Sequence, residues 1–321
     1  MPQTVIARSA NEILALRDRW DWLYSQCRAT IFQSFKWNWI ASRVFAEREF
    51  PYVIYSEADH GQALLPLCIN RRRNSLACLG DVLFDYRDVL AIGEDDATMA
   101  AWSEAARLGL PFSSGGLLAS ASPQWSAFQL NQFYRSPHVR VSDGSADLFA
   151  CKHTRSASRL RKLQRMGVEL RKYAPPTAAL LRWIYEQKAS QPPEAGENVF
   201  SDPCRIEFMA EITSTGPLQE EVFTLEIQQR CIAALVTLRE SDCRRFYTIW
   251  FDQNWSRHSP GISLIYEVTR RSLAEGLDCD YMTGEQSYKM RFATSVEQLY
   301  WVDASVEQMK AAGRNRMELA A

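Results

Sequence analysis

The run from Arg244 to Thr283 constrains the fold more than any other part of the chain. It reads R-R-F-Y-T-I-W-F, a polar loop D-Q-N-W-S-R-H, then S-P-G-I-S-L-I-Y-E-V-T-R-R-S-L-A-E-G and, past Leu277, D-C-D-Y-M-T. Aromatic and β-branched residues make Arg244–Phe251 a strand. Ser259 and Pro260 are good residues to open a helix, Arg270 and Arg271 suit its last turns, and Gly276 suits the residue that ends it. A helix from Gly261 to Glu275 therefore leads back to a strand at Asp278–Thr283. Strand, helix and strand in this order require a crossover, hence an α/β sheet with the two strands near each other and a ligand site at their carboxyl ends.

The rest of the chain reads in the same style. Ile13, Leu16, Trp20 and Leu23 give residues 10–29 a helical face, and Ser34 caps a second helix bearing Trp37, Ile40, Val44 and Phe45. Trp37 and Trp39 read as core. Tyr52–Ser56 and Ala63–Asn70 are strands joined by a polar turn, followed by shorter strands at Ser75–Leu79 and Asp88–Ile92 and a helix at Asp96–Leu108. Residues 109–146, rich in Gly, Pro and Ser, place a domain transition near 140–150. A helix at 177–190, the polar and mobile loop 191–198, and strands at Val222–Ile227, Cys231–Arg239 and Gln298–Asp303 complete the pattern. Y-V-I-Y…G-Q-A-L-L-P-L-C-I in the first half is echoed by V-F-T-L-E-I…Q-R-C-I-A-A-L-V-T-L in the second, which suggests two copies of one α/β unit.

Composition narrows the class. With 321 residues, 46% hydrophobic and 23% charged, the chain can bury a substantial core. A net charge of −1 gives no global field toward nucleic acid or membrane. No stretch reaches the ~20 apolar residues of a membrane helix, and the first residues do not form a signal peptide. The eight cysteines form no C-x-x-C pair and read as reduced, buried thiols of a cytoplasmic protein, with no metal site. No G-x-S-x-G elbow is present, which weighs against hydrolase chemistry.

Two stretches carry candidate chemistry. At Ser259-Pro260-Gly261 the first-turn N–H groups of Gly261, Ile262 and Ser263 carry partial positive charge, as an anion such as pyrophosphate requires. Gly261 lets the anion approach the backbone, and Arg257 and His258 add charge. The competing interpretation is ordinary loop punctuation. Beyond the next strand, Asp280, Glu285, Tyr288 and Lys289 lie within ten residues. Transfer to an amine or hydroxyl needs a base, Glu285 or Asp280, and benefits from an acid, Tyr288, for the departing thiolate. Lys289 then pairs with a phosphate or carboxylate. Alternatively, Asp280 and Lys289 form a structural ion pair and Tyr288 packs its ring.

S-P-G-I-S-L-I-Y-E followed by D-Y-M-T-G-E-Q-S-Y-K resembles the GNAT-superfamily acetyltransferases that include the cellulose-biosynthesis protein CelD and are related to the Fem-type aminoacyltransferases. Asp280, Gly284, Tyr288 and Lys289 reproduce that family's D-x-x-x-G-x-x-x-Y-K spacing. F-Q-S-F-K-W at 32–37 and D-Y-R-D-V-L at 85–90 are similar to its F-Q-S-x-x-W and D-Y-x-x-x-L elements. S-R-L-R-K-L-Q-R-M-G-V-E-L-R at 158–171 is similar to its basic helix and following strand. The general GNAT phosphate loop is [Q/R]-x-x-G-x-[G/A]; aligned on Gly261, the outer positions here are His258 and Ser263.

The resemblance implies tandem GNAT-like domains of mixed twisted sheet flanked by helices, at 1–148 and 149–305, before a flexible tail at 306–321. It also implies acetyl-CoA or another acyl-CoA as donor, without a metal, and N- or O-acylation of a sugar, amino-sugar or other small metabolite in cell-surface polysaccharide synthesis. Asp85 and Tyr86 would orient the acceptor. In the basic segment 151–173, eight Lys/Arg face one Glu, and Arg159 and Lys162 share a helix face with Lys152 and Arg155. That face is either solvated or grips a phosphorylated acceptor or tRNA. A Fem-like aminoacyl-tRNA-dependent transferase and a non-catalytic binding module remain open.

Overall fold

The computed structural model describes residues 2–118, 125, 127–191, 198–213 and 219–312. In chain order the first elements are β1 (Gln3–Ala7), α1 (Ala10–Ala15), α2 (Arg17–Gln26), α3 (Phe35–Val44), β2 (Glu49–Ala58), β3 (Gly61–Asn70), β4 (Ser75–Cys78), β5 (Leu90–Gly93), α4 (Asp96–Ala106), β6 (Phe112–Leu117) and β7 (Asn131–Val139). They are followed by α5 (Ala146–Lys152), α6 (Thr154–Arg165), β8 (Glu169–Tyr173), α7 (Ala178–Ala189), α8 (Pro203–Thr213), β9 (Gln219–Ile227), β10 (Arg230–Arg239) and β11 (Cys243–Phe251). The last are α9 (Pro260–Ala274), β12 (Asp278–Asp280), α10 (Ser287–Phe292), β13 (Ser295–Ala304) and α11 (Val306–Ala312). Two compact units result: Met1–Tyr134 with Gln298–Ala321, and Arg135–Glu297.

In the first unit the strand order is β1-β2-β3-β4-β6-β13, with β5 also on β3. β2 and β3 form the hairpin expected from sequence, antiparallel from Glu49↔Asn70 to Ala58↔Gly61. Their side chains alternate between two cores. Tyr52, Ile54, Leu65 and Leu67 pack with α4, whereas Val53, Tyr55 and Leu64 pack with Ile13, Trp20, Leu23 and Phe35. Burial on both faces explains the near-continuous apolar runs. In α4, Ala97, Ala101 and Ala105 recur every fourth residue, so the helix seats closely on the sheet.

In the second unit the order is β7-β12-β11-β10-β9-β8. β9 and β10 repeat the hairpin, with Arg230↔Ile227 beside the turn. α9 buries Leu264, Ile265 and Val268 on one face of this sheet, with α5 and α6 beside it. α7 lies on the other face, where Trp183 meets Trp250 edge to face at 5.2 Å.

Several expectations change. The division falls after Tyr134 rather than near 148, and residues from Gln298 onward return to the first unit. Residues 109–146 contain β6 and β7. The glycines that disguised β6 have a packing reason: a Cβ on Gly115 would meet the Trp301 ring at 2.4 Å. Residues 306–312 of the expected flexible tail form α11, which buries Met309 and Ala312 in the core shared with α4. The rest of that tail, and residues 192–197 of the expected mobile loop, lie outside the described residues. α8 has no counterpart in the sequence reading. All eight cysteines are free thiols, but Cys151 and Cys204 are exposed rather than buried.

Candidate active site

The site is shaped by where β12 stops. β12 pairs in parallel with β11 over three residues only, ending at Arg245↔Asp280. The chain then turns to follow β7, with Tyr281 N–H donating to Pro137 O and Gly284 N–H to Arg135 O, both at 3.0 Å. β11 continues to Phe251 paired with β10 on its other side. Among the described residues, no strand covers its edge from Phe246 onward. A bulge falls at the mouth of this opening. Val236 faces Thr248 and Thr237 faces Phe246, so Tyr247 is the extra residue.

The D-x-x-x-G-x-x-x-Y-K residues build the turn that creates the opening. Asp280 is fully buried, and its Oδ1 accepts from Met282 N–H at 2.7 Å and from Ser136 Oγ at 3.1 Å. Its Oδ2 accepts from Arg245 Nη1, and Arg245 also makes a bidentate pair with Glu240 at 3.1 and 2.7 Å. Burial opposes the charge of Arg245, but Asp280 and Glu240 outweigh it and hold the guanidinium well above its usual range. Met282 and Gly284 take φ of 62° and 105°, the second suited to glycine. Lys289 is buried and donates Nζ to the carbonyls of Thr283 at 2.6 Å and Met282 at 3.4 Å.

These contacts correct three expectations. Asp280 is not an available base, because it is the buried partner of Arg245. Lys289 does not reach out to a substrate; it closes the turn, and the structural pair expected with Asp280 is made by Arg245 instead. Glu285, exposed, is paired with Arg135. Tyr288 stands in the first turn of α10, half-buried against the core beneath α9. Nearby, burial pushes the Tyr281 phenol well up, and its Oη shares a 2.8 Å hydrogen bond with Thr269.

At the start of α9, Pro260 occupies the first turn as expected. Ser259 does not cap with its side chain; its φ and ψ of 51° and 52° put it in the left-handed region, and its carbonyl receives Ser263 N–H and Oγ. The Ser263 hydroxyl is thus spent on its own helix. Gly261 has a packing role as well, since a Cβ there would lie 3.2 Å from the Phe251 ring; its smallness lets α9 approach β11. Ile262 packs into the α9 core. Exposed Arg257 donates Nε to His258 Nε2 at 3.0 Å, and His258 lies 5.5 Å from Trp255, so both side chains border the helix start.

The remaining candidates lie elsewhere. Tyr86 is core of the first unit, its ring 5.7 Å from Phe32 and its carbonyl accepting from Gln33 Nε2 at 2.9 Å. The F-Q-S-x-x-W and D-Y-x-x-x-L elements therefore meet as an aromatic cluster that includes Trp37 against Phe84 at 5.3 Å. Asp85 is half-buried beside it. On α6, Leu160 and Leu163 are buried, Arg155, Arg161 and Lys162 are exposed and Arg159 is half-buried, all four cations without a carboxylate partner among the described residues.

Two features were missed in the sequence. Arg244 and Arg245 interrupt an aromatic strand, which is a readable signal. Arg244 is fully buried, bonded to Glu221, Ser272 and Glu275. The second feature is a groove of about 750 Å³ on the α7 face, lined by Tyr173, Trp183, Gln187, Gln191, Trp250 and Asn254 among others. Its residues come from β8, α7, β9, β10, β11 and the loop after β11, and no local pattern brings them together. No helix among the described residues is long and apolar enough to cross a membrane.

Comparison with known proteins bears on the fold. Residues 152–290 match the profile of an acetyltransferase (GNAT) domain. Solved structures share the fold along most of the chain. The C-terminal domain of a putative lysylphosphatidylglycerol synthetase from Agrobacterium fabrum superposes with a TM-score of 0.60 at 12% identity, over 94% of this chain and 95% of that one. FemX gives 0.57 at 9%, over 89% and 95%, and a tandem GNAT protein from the clavulanic acid biosynthesis pathway gives 0.53 at 9%, over 95% and 99%. No curated protein matches the chain in sequence. The architecture is a pair of GNAT-like domains, each a mixed sheet flanked by helices, and the second unit contains the whole of the matched stretch.

Proposed function

We propose that the protein is an acyl-CoA-dependent N- or O-acyltransferase, CelD-like in kind, whose acceptor is a sugar or amino-sugar. The uncovered β11 edge beyond Arg245, inside the GNAT-matched stretch, carries this reading. The amides of a pantetheine arm can pair with that edge as an added strand. The pyrophosphate then meets the first N–H groups of α9, with Arg257 and His258 beside it. The acceptor attacks the thioester carbonyl, and Tyr288 protonates the departing thiolate. The groove at Trp183 and Trp250 suits a polyol, which presents C–H faces to aromatic rings and hydroxyls to amides. The test is release of coenzyme A thiol from acetyl-CoA in the presence of amino sugars. Release that depends on the sugar is expected, and its absence across a panel that includes glucosamine would refute the acceptor class.

The unpaired cations of α6 favour a second reading, aminoacyl-tRNA as donor. It predicts tRNA binding that weakens steeply with salt and is abolished by Arg159→Glu with Lys162→Glu. Unchanged affinity in that variant would exclude it.

A further inference from the structure

We propose that His138 is the general base that takes the acceptor's proton. This inference rests on the acyltransferase reading and identifies a residue for that site. Attack by a hydroxyl or amine needs a base, yet Asp280 and Glu285 are each held by an arginine.

β-sheet register puts His138 in the right place. His138 opposes Asp280 across β7 and β12, and Asp280 opposes Arg245 across β12 and β11, so the three side chains form a row on one face. The neighbouring row, Val139 and Cys279, points into the core beneath α9. His138 therefore faces the opposite side, the side of α7 and the polar groove. Tyr288 packs on the α9 side. Acid and base approach the opening from opposite faces, with a thioester on the β11 edge between them. Two strand spacings, about 10 Å, separate β7 from β11, and Asp280 and Arg245 stand in the row between them.

The surroundings suit a base. His138 is 9% exposed, and its Nε2 is buried without a hydrogen-bond partner, an uncommon state for a buried nitrogen. Two carboxylates face it beyond hydrogen-bond range, Glu297 Oε2 at 3.6 Å and Asp280 Oδ1 at 4.0 Å. Arg245 neutralises Asp280 from the far side, which leaves Glu297 on β13 to stabilise an imidazolium. In the step itself the acceptor N or O bonds to the acyl carbon, the C–S bond breaks with its electron pair on sulfur, the acceptor's proton passes to the His138 ring, and Tyr288 supplies the proton taken up by sulfur.

The test compares the parent protein with His138→Gln and His138→Ala, each checked for a parent-like melting curve. Calorimetry should give acetyl-CoA affinity within about twofold of the parent, while glucosamine-dependent thiol release falls about 100-fold or more. The acid limb of the kcat/KM profile should vanish, and added imidazole should partly restore His138→Ala. A separate readout needs no acceptor: diethylpyrocarbonate should modify His138 in the folded protein, and bound acetyl-CoA should slow the modification. Turnover within about twofold of the parent, or an unreactive His138, overturns the proposal while leaving the donor reading intact. Failure of the parent to bind acetyl-CoA would instead remove the reading on which it rests.

Discussion

Asp280 shows how residue-scale contacts decide a role. As a free base it would be dispensable to folding; as the buried partner of Arg245 it is not. Asp280→Ala should destabilise the protein by about 3 kcal/mol in urea unfolding, because it leaves the buried Arg245 with Glu240 alone and frees Met282 N–H and Ser136 Oγ. A stable but inactive variant would restore it as a base. Tyr288 predicts the opposite pattern. Tyr288→Phe removes a proton donor and little packing, so kcat should fall about 100-fold or more with acetyl-CoA affinity unchanged. The D-x-x-x-G-x-x-x-Y-K spacing was visible in the sequence, but the division of labour within it was not. Three of its four residues build a turn, and only the fourth, Tyr288, is proposed for chemistry, a distinction that depends on Arg245, 35 residues before Asp280.

Among the elements, α9 is the most legible and the most instructive. Its boundaries follow from Pro260, Arg271 and Gly276, and sequence placed them within a residue. What sequence did not show is how its first turn packs: Gly261 lies against Phe251, and the Ser263 hydroxyl bonds back to Ser259. Neither neighbour is visible from residue type alone. Further along α9, Glu267 is opposed by burial but held below its usual range by Arg270 and Arg271. A carboxyl whose native pKa is depressed stabilises the fold fully above its unfolded value of about 4.3 and loses that contribution as pH falls through the native value. Glu267→Gln should therefore reduce stability near neutral pH and flatten its decline below about pH 4.3, as followed by thermal melts across pH. α11 was read as tail because its single turnings of apolar sequence are short. Met309→Ala should cost about 2–5 kcal/mol, as expected for a buried methionine and not for a tail.

For the whole molecule, the repeated hairpin was the clue that worked. β2–β3 and β9–β10 recur because each unit needs a central antiparallel pair buried on both faces, and such strands leave long apolar runs in the sequence. The division between units was misplaced because β6 and β7 carry glycine, proline and polar residues, and because β13 and α11 return to the first unit from far along the chain. Long-range returns of this kind leave no local pattern. The acyl-CoA proposed above would lie within the second unit, along the edge of β11 that β12 leaves uncovered. Isothermal titration of the intact protein with acetyl-CoA tests it most directly. One site per chain is predicted, with a dissociation constant between about 1 µM and about 1 mM. A folded protein that shows no binding at millimolar acetyl-CoA would contradict it.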